Sequence, residues 1–127
     1  MPYVNSLNKI PVNARNGLKI DHLDPQNHIA YTTAKSADGV DVSRVLIRDG
    51  VYLYDLDKCI DSHGAVNQVA TDTLQRAINY PVYIEVSKSG RGFHVWGFTS
   101  ELTSHKCKNS QLNIELYTNN RHGVLTK

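Results

Sequence analysis

The pattern of apolar and polar positions changes character near residue 44. Upstream, turn formers dominate: Asn13, Asn16-Gly17, Asp24-Pro25-Gln26-Asn27 and Asp38-Gly39. Such clusters cut the chain into short extended pieces and loops, with one short helix expected over 29–35. Downstream the periodicity is clear. Residues 45–47 and 51–56 read as strands, with Arg48-Asp49-Gly50 as the turn between them. Over 65–80 the apolar positions Val66, Val69, Ala70, Leu74, Ala77 and Ile78 follow a helical stripe, and Pro81 marks its end. Residues 81–87 and 93–98 read as strands joined by a tight turn over 88–92. Residues 101–110 read as a polar loop and 112–118 as a strand. Asn119-Asn120-Arg121 reads as a turn, with a last short strand over 123–126. The expected class is α/β (α+β), with helix packed on one face of a mixed, mostly antiparallel sheet.

Composition narrows this reading. The 127 residues are 40% hydrophobic and 20% charged, a globular balance that fits a single domain over 1–127. No apolar run approaches the roughly 20 residues of a membrane helix. Residues 1–17 lack the apolar segment of a signal peptide. Cys59 and Cys107 are too few for a disulfide framework or for a four-ligand zinc site, and they fit a reducing compartment. His63 and His105 fall in expected loops, without zinc spacing to either cysteine. The net charge of +2 is unevenly spread: residues 1–85 balance at −2 and residues 86–127 at +4. The second part is therefore mildly biased toward anionic partners such as nucleotides or nucleic acid.

Two short segments carry candidate chemistry. In YLYDLDKC, Asp55 and Asp57 are two apart, which on a strand places them on one face. Either they lie at the strand end facing water, or a divalent metal offsets their repulsion. Glu115 sits mid-strand in LNIELY, where a charge calls for a partner, a function or a solvent-facing edge. If its strand lies beside that of Asp55, three carboxylates surround one point, enough for one or two Mg²⁺ or Mn²⁺ ions. The second segment is EVSKSGRGFHVW, residues 85–96. Gly90 and Gly92 permit a tight turn and close approach to the backbone. Ser87 and Ser89 supply hydroxyls, Lys88 and Arg91 charge, and His94 follows on the returning strand. The group could hold a triphosphate, or be a plain hairpin with a basic tip and a packed or surface histidine.

Taken in order, YLYDLDKCID at 52–61, YIEVSKSGRGFHVWG at 83–97 and NIELYTNNR at 113–121 resemble the primase–polymerase domain of the archaeo-eukaryotic primase superfamily, in its phage and plasmid replication form. The lead-in KIPVNARNGLKIDHLDPQNHIAY at 9–31 is similar as well. The resemblance implies an RRM-like catalytic core with packed helices, in a compact or truncated domain. It implies metal binding by Asp55, Asp57 and Glu115, and a phosphate contact by His94. It also implies a nucleotide-binding turn containing Ser89, and a phosphate or nucleic-acid contact by Arg121. The implied activity is metal-dependent nucleotidyl transfer in DNA replication, adding NTP or dNTP to a primer or starting one on single-stranded DNA. Mg²⁺ or Mn²⁺ is the implied cofactor. A replication helicase or a C-terminal partner chain is an implied partner, and the implied location is the cytoplasm of a bacterial or archaeal cell, on a virus- or plasmid-encoded protein. The alternatives are a catalytically inactive module of the same fold, binding nucleotide, single-stranded DNA or a helicase, and a metal-dependent phosphoesterase using the same carboxylates.

Overall fold

The computed structural model describes residues 2–100, 108–109 and 112–126. Its elements run β1 (Tyr3–Leu7), β2 (Ile10–Val12), a 3-10 turn (Pro25–Asn27), α1 (Tyr31–Ser36), β3 (Asp41–Ile47), β4 (Val51–Leu56), α2 (Gln68–Ala77), β5 (Tyr83–Val86), β6 (Phe93–Phe98), β7 (Lys108–Asn109), β8 (Ile114–Tyr117) and β9 (Asn119–Leu125). The class is α+β, with two antiparallel sheets where the sequence pattern predicts one. Arg48–Thr118 form one compact unit, and the described residues on either side form the other. The loop expected over 101–110 lies outside the described residues, except for β7. His105 and Cys107 lie outside them too.

In the flanking unit the sheet order is β2-β1-β3-β9. The strand expected over 45–47 begins at Asp41. Being central, it is buried from Val42 through Leu46, with Ser43 and Arg44 inside the run. No alternation survives in such a strand, which is why the pattern hides its first half. The Ser43 and Ser6 hydroxyls are 2.9 Å apart, so neither polar group is stranded in the core. The turn expected over 119–121 is instead the start of β9. Asn119 pairs with Ile47 and Arg121 with Leu46, leaving Asn120 at a register shift with φ of 55°. The turn formers here make a bulge.

In this unit the His22 and His122 rings meet edge to face at 4.8 Å. Burial, then His22, then Arg121 pull His122 down to about 4. An unfolded histidine titrates near 6.5, so the unfolded chain takes up the proton first as pH falls. This contribution to stability is full above that pH and is lost as pH falls toward about 4. Urea midpoints at about pH 7 and pH 4.5 should differ less in His122→Phe than in the parent chain.

The Arg48–Thr118 unit is built on a sheet of order β5-β6-β4-β8-β7. The chain leaves β4, forms α2, and returns as β5 on the far side of β6. Asn67 caps α2, its side chain accepting from the Ala70 amide at 2.9 Å. Ala70, Leu74 and Ala77 pack with Leu56, Cys59, Val95, Ile84 and Phe93 on one sheet face. The helix is shorter than the apolar stripe predicts. Val66 is drawn into a bridge with Ile60, and Ile78 is 67% exposed beyond the last turn. Burial raises the Cys59 thiol, which suits a core residue rather than a nucleophile.

Candidate functional site

The register of this sheet sets out the site. Glu85 on β5 faces His94 on β6, His94 faces Asp55 on β4, and Asp55 faces Glu115 on β8. Directly opposed residues point to the same face, so these four form one row across the sheet. The row lies opposite α2, because the intervening residues Leu56, Phe93, Val95 and Ile114 face the helix core. Alternation thus divides β4 between two tasks: Tyr54 and Leu56 join the core, while Leu53 and Asp55 face the other way.

Asp57 joins the row from just beyond β4. Its amide donates to the Asn113 carbonyl at 2.8 Å, and the chain then turns at Lys58 with φ of 52°. One oxygen each of Asp55, Asp57 and Glu115 can lie within 4.8 Å of the others. Among the described residues this is the only group of three side chains suited to hold a metal ion. Three carboxylates are hard oxygen donors, a set that suits a hard divalent cation. The Tyr117 hydroxyl donates to Glu115 Oε2 and orients that carboxylate.

His94 is 8% exposed and lies between carboxylates. Its Nδ1 is 3.1 Å from Glu85 Oε1, and its Nε2 is 3.8 Å from Asp55 Oδ1. Glu85 is 7% exposed and also accepts from Trp96 Nε1 at 3.1 Å and from the Tyr83 hydroxyl at 3.3 Å. Glu85 is the site residue that the sequence reading leaves out. Its signal in the sequence is the same as that of Glu115, a charge in mid-strand.

The hairpin closes through Ser87 N–H to the Gly92 carbonyl and Gly90 N–H to the Ser87 carbonyl, both at 2.9 Å. Ser89 is exposed at its tip, its hydroxyl 3.1 Å from that of Ser87 and accepting from the Arg91 amide. The tip is fastened to the segment that follows Asp57. The Arg91 carbonyl accepts from the Cys59 and Ile60 amides, and Arg91 Nε donates to the Ile60 carbonyl at 3.3 Å. The serine-rich turn and the segment after Asp57 are thus joined by hydrogen bonds. Gly90 has φ of 75°, as a tight turn requires. Gly92 serves close approach within the protein: a Cβ there would lie 2.2 Å from the Leu56 carbonyl oxygen. Gly92→Ala should cost about 3 kcal/mol by urea denaturation, because the obstacle is backbone and cannot turn aside.

Lys88 is exposed at the tip, and His63 lies in an exposed loop with its amide bonded to Asp61. Arg121 stands on β9, in the other unit, opposite Leu46 and exposed. The aromatic side chains divide between the sheet faces. Tyr83, Trp96 and Tyr117 are hydrogen-bonded to site carboxylates. Tyr52 and Tyr54 meet at 5.7 Å on the helix side, where with Tyr80 and Phe98 they line a hollow. That hollow is on the opposite face from the carboxylates. No helix among the described residues is long and apolar enough to cross a membrane. No protein-family model matches the chain, and no curated protein matches it significantly.

Proposed function

We propose that the chain is a metal-dependent nucleotidyltransferase of the primase–polymerase type, acting on single-stranded or primed DNA with NTP or dNTP as the second substrate. The observation that carries this reading is the convergence of Asp55, Asp57 and Glu115 within 4.8 Å, in the same row as His94. The strand connections support it as well. Taking β4, β5, β6 and β8 as first to fourth, the sheet runs fourth-first-third-second, and α2 joins the first two. An RRM-like, split β-α-β core would have this order.

In this reading Asp55, Asp57 and Glu115 hold Mg²⁺ or Mn²⁺. When bound, such an ion supplies Lewis acidity and neutralises charge on a triphosphate. The three carboxylates fix its position and leave part of its shell open. His94 and the Ser89 turn bind and orient the triphosphate from the neighbouring strand. The nucleophile is a substrate hydroxyl, so the chain needs no activated serine or cysteine. Its contribution is alignment and electrostatics.

The test is extension of a primed single-stranded template with labelled dNTPs and Mn²⁺ or Mg²⁺. Parallel reactions use NTPs and unprimed template, and Asp57→Ala is the control. Template-directed product from the parent chain alone is the expected result. Absence of product in every combination overturns the reading of the chain as an enzyme by itself. A hydrolysed template would indicate a phosphoesterase.

A further inference from the structure

The Glu85 carboxylate is buried in the site row and takes no part in the group of three carboxylates. Burying a carboxylate is costly unless its oxygens are engaged, and here donors reach both. Trp96 Nε1–H and His94 approach Oε1, each at 3.1 Å, and the Tyr83 hydroxyl approaches Oε2 at 3.3 Å. Tyr83 and Trp96 form the adjacent row on the same face, paired with each other in register. The carboxylate is thereby hydrogen-bonded from two sides.

An ionised carboxylate only accepts, and Nδ1 is within hydrogen-bonding distance of Glu85 whereas Nε2 is 3.8 Å from Asp55, so Nδ1 is the nitrogen that donates to a neighbour. We propose that Glu85 is a positioning residue that holds the His94 ring by Nδ1–H and so presents Nε2 to the Asp55 side of the row. The arrangement has the logic of a carboxylate–histidine pair that fixes ring orientation and tautomer for work at the other nitrogen. Without Glu85 the ring is free to adopt the Nε2–H tautomer or to turn over, and the nitrogen beside Asp55 is no longer defined. The consequence for nucleotide rests on the proposed function, in which the orientation of the His94 ring decides how it meets the triphosphate.

The experiment has two arms on the intact chain. Long-range ¹⁵N–¹H spectra recorded over a series of pH values report which ring nitrogen carries the hydrogen, without nucleotide or metal. The His94 signals are assigned by their loss in His94→Gln. The parent chain should show Nδ1–H. Glu85→Gln, which keeps an acceptor oxygen, should retain it, and Glu85→Leu should shift toward Nε2–H. In the second arm, Glu85→Leu should raise the KM for Mn²⁺–dATP at least about tenfold with a smaller change in kcat, and Glu85→Gln should restore most of the loss. Nε2–H in the parent chain, or an unchanged tautomer in Glu85→Leu, overturns the proposal. Should Glu85→Leu not fold, the parent spectrum and Glu85→Gln decide the matter. If the tautomers are as expected but the parent chain uses no nucleotide, the proposed function fails and the positioning role stands. If the parent chain turns over nucleotide and folded Glu85→Leu does so with the same KM, the positioning role fails and the function stands.

Discussion

Asp57→Asn is expected to make the metal-free protein slightly more stable while removing its response to metal. Asp55, Asp57 and Glu115 bring three carboxylates to within 4.8 Å of one another. At that spacing, with water-like screening, each like-charged pair repels by roughly 1 kcal/mol. Replacing one carboxylate by an amide of the same shape relieves two such pairs. The metal-free variant should therefore unfold at a higher urea concentration, by an amount equivalent to about 2 kcal/mol. Mn²⁺ should raise the Tm of the parent chain, because an ion that binds only the folded state stabilises it. The same addition should leave the variant nearly unchanged. Nucleotidyl transfer, if the proposed function holds, should fall by at least about 10³-fold. Paired thermal melts with and without Mn²⁺ check the first two effects, and primer extension checks the third. A variant that is less stable without metal, yet still gains stability from Mn²⁺, would show that these carboxylates do not act together.

Leu56→Ala carries the largest expected loss of stability. Leu56 is 1% exposed at the centre of the α2 core, against Val95, Cys59 and Ala70. Truncating a buried leucine forfeits its transfer energy and leaves a cavity, about 3–4 kcal/mol in a site with neighbours held by a sheet. The effect should reach the site. Leu56 lies between Asp55 and Asp57, and its carbonyl packs where Gly92 comes closest. A loosened Leu56 frees both aspartates from the geometry that the core imposes. Urea denaturation should show the loss, and the Mn²⁺-induced rise in Tm should shrink although no metal-binding side chain has changed.

Much of the local structure was legible because it is written in short-range patterns. The strands at Val51–Leu56 and Phe93–Phe98 have the limits that their alternation predicts. The glycine-serine turn closes where expected, between Ser87 and Gly92. Asp55 and Asp57 bring carboxylate oxygens within 4.8 Å of each other, although Asp57 lies just beyond the end of β4. Other features were hidden. Arg48-Asp49-Gly50 looks like a hairpin turn, but β3 and β4 belong to different sheets and do not pair. A turn constrains a few dihedral angles and says nothing about which edge the next strand joins.

The amino-acid sequence by itself determined the types of most elements, the face on which Asp55 sits, and the residues from which a phosphate and metal site could be assembled. These follow from period-two alternation, helical spacing and turn chemistry, all decided within a few residues. Only the tertiary structure decided that Glu115 and His94 flank Asp55 on either side, since strand order depends on packing between segments far apart in the chain. It also decided that Glu85 reaches His94 Nδ1 and completes the row. Cross-strand register is a property of paired strands, so a carboxylate nine residues before a histidine acquires its role only when both strands lie side by side.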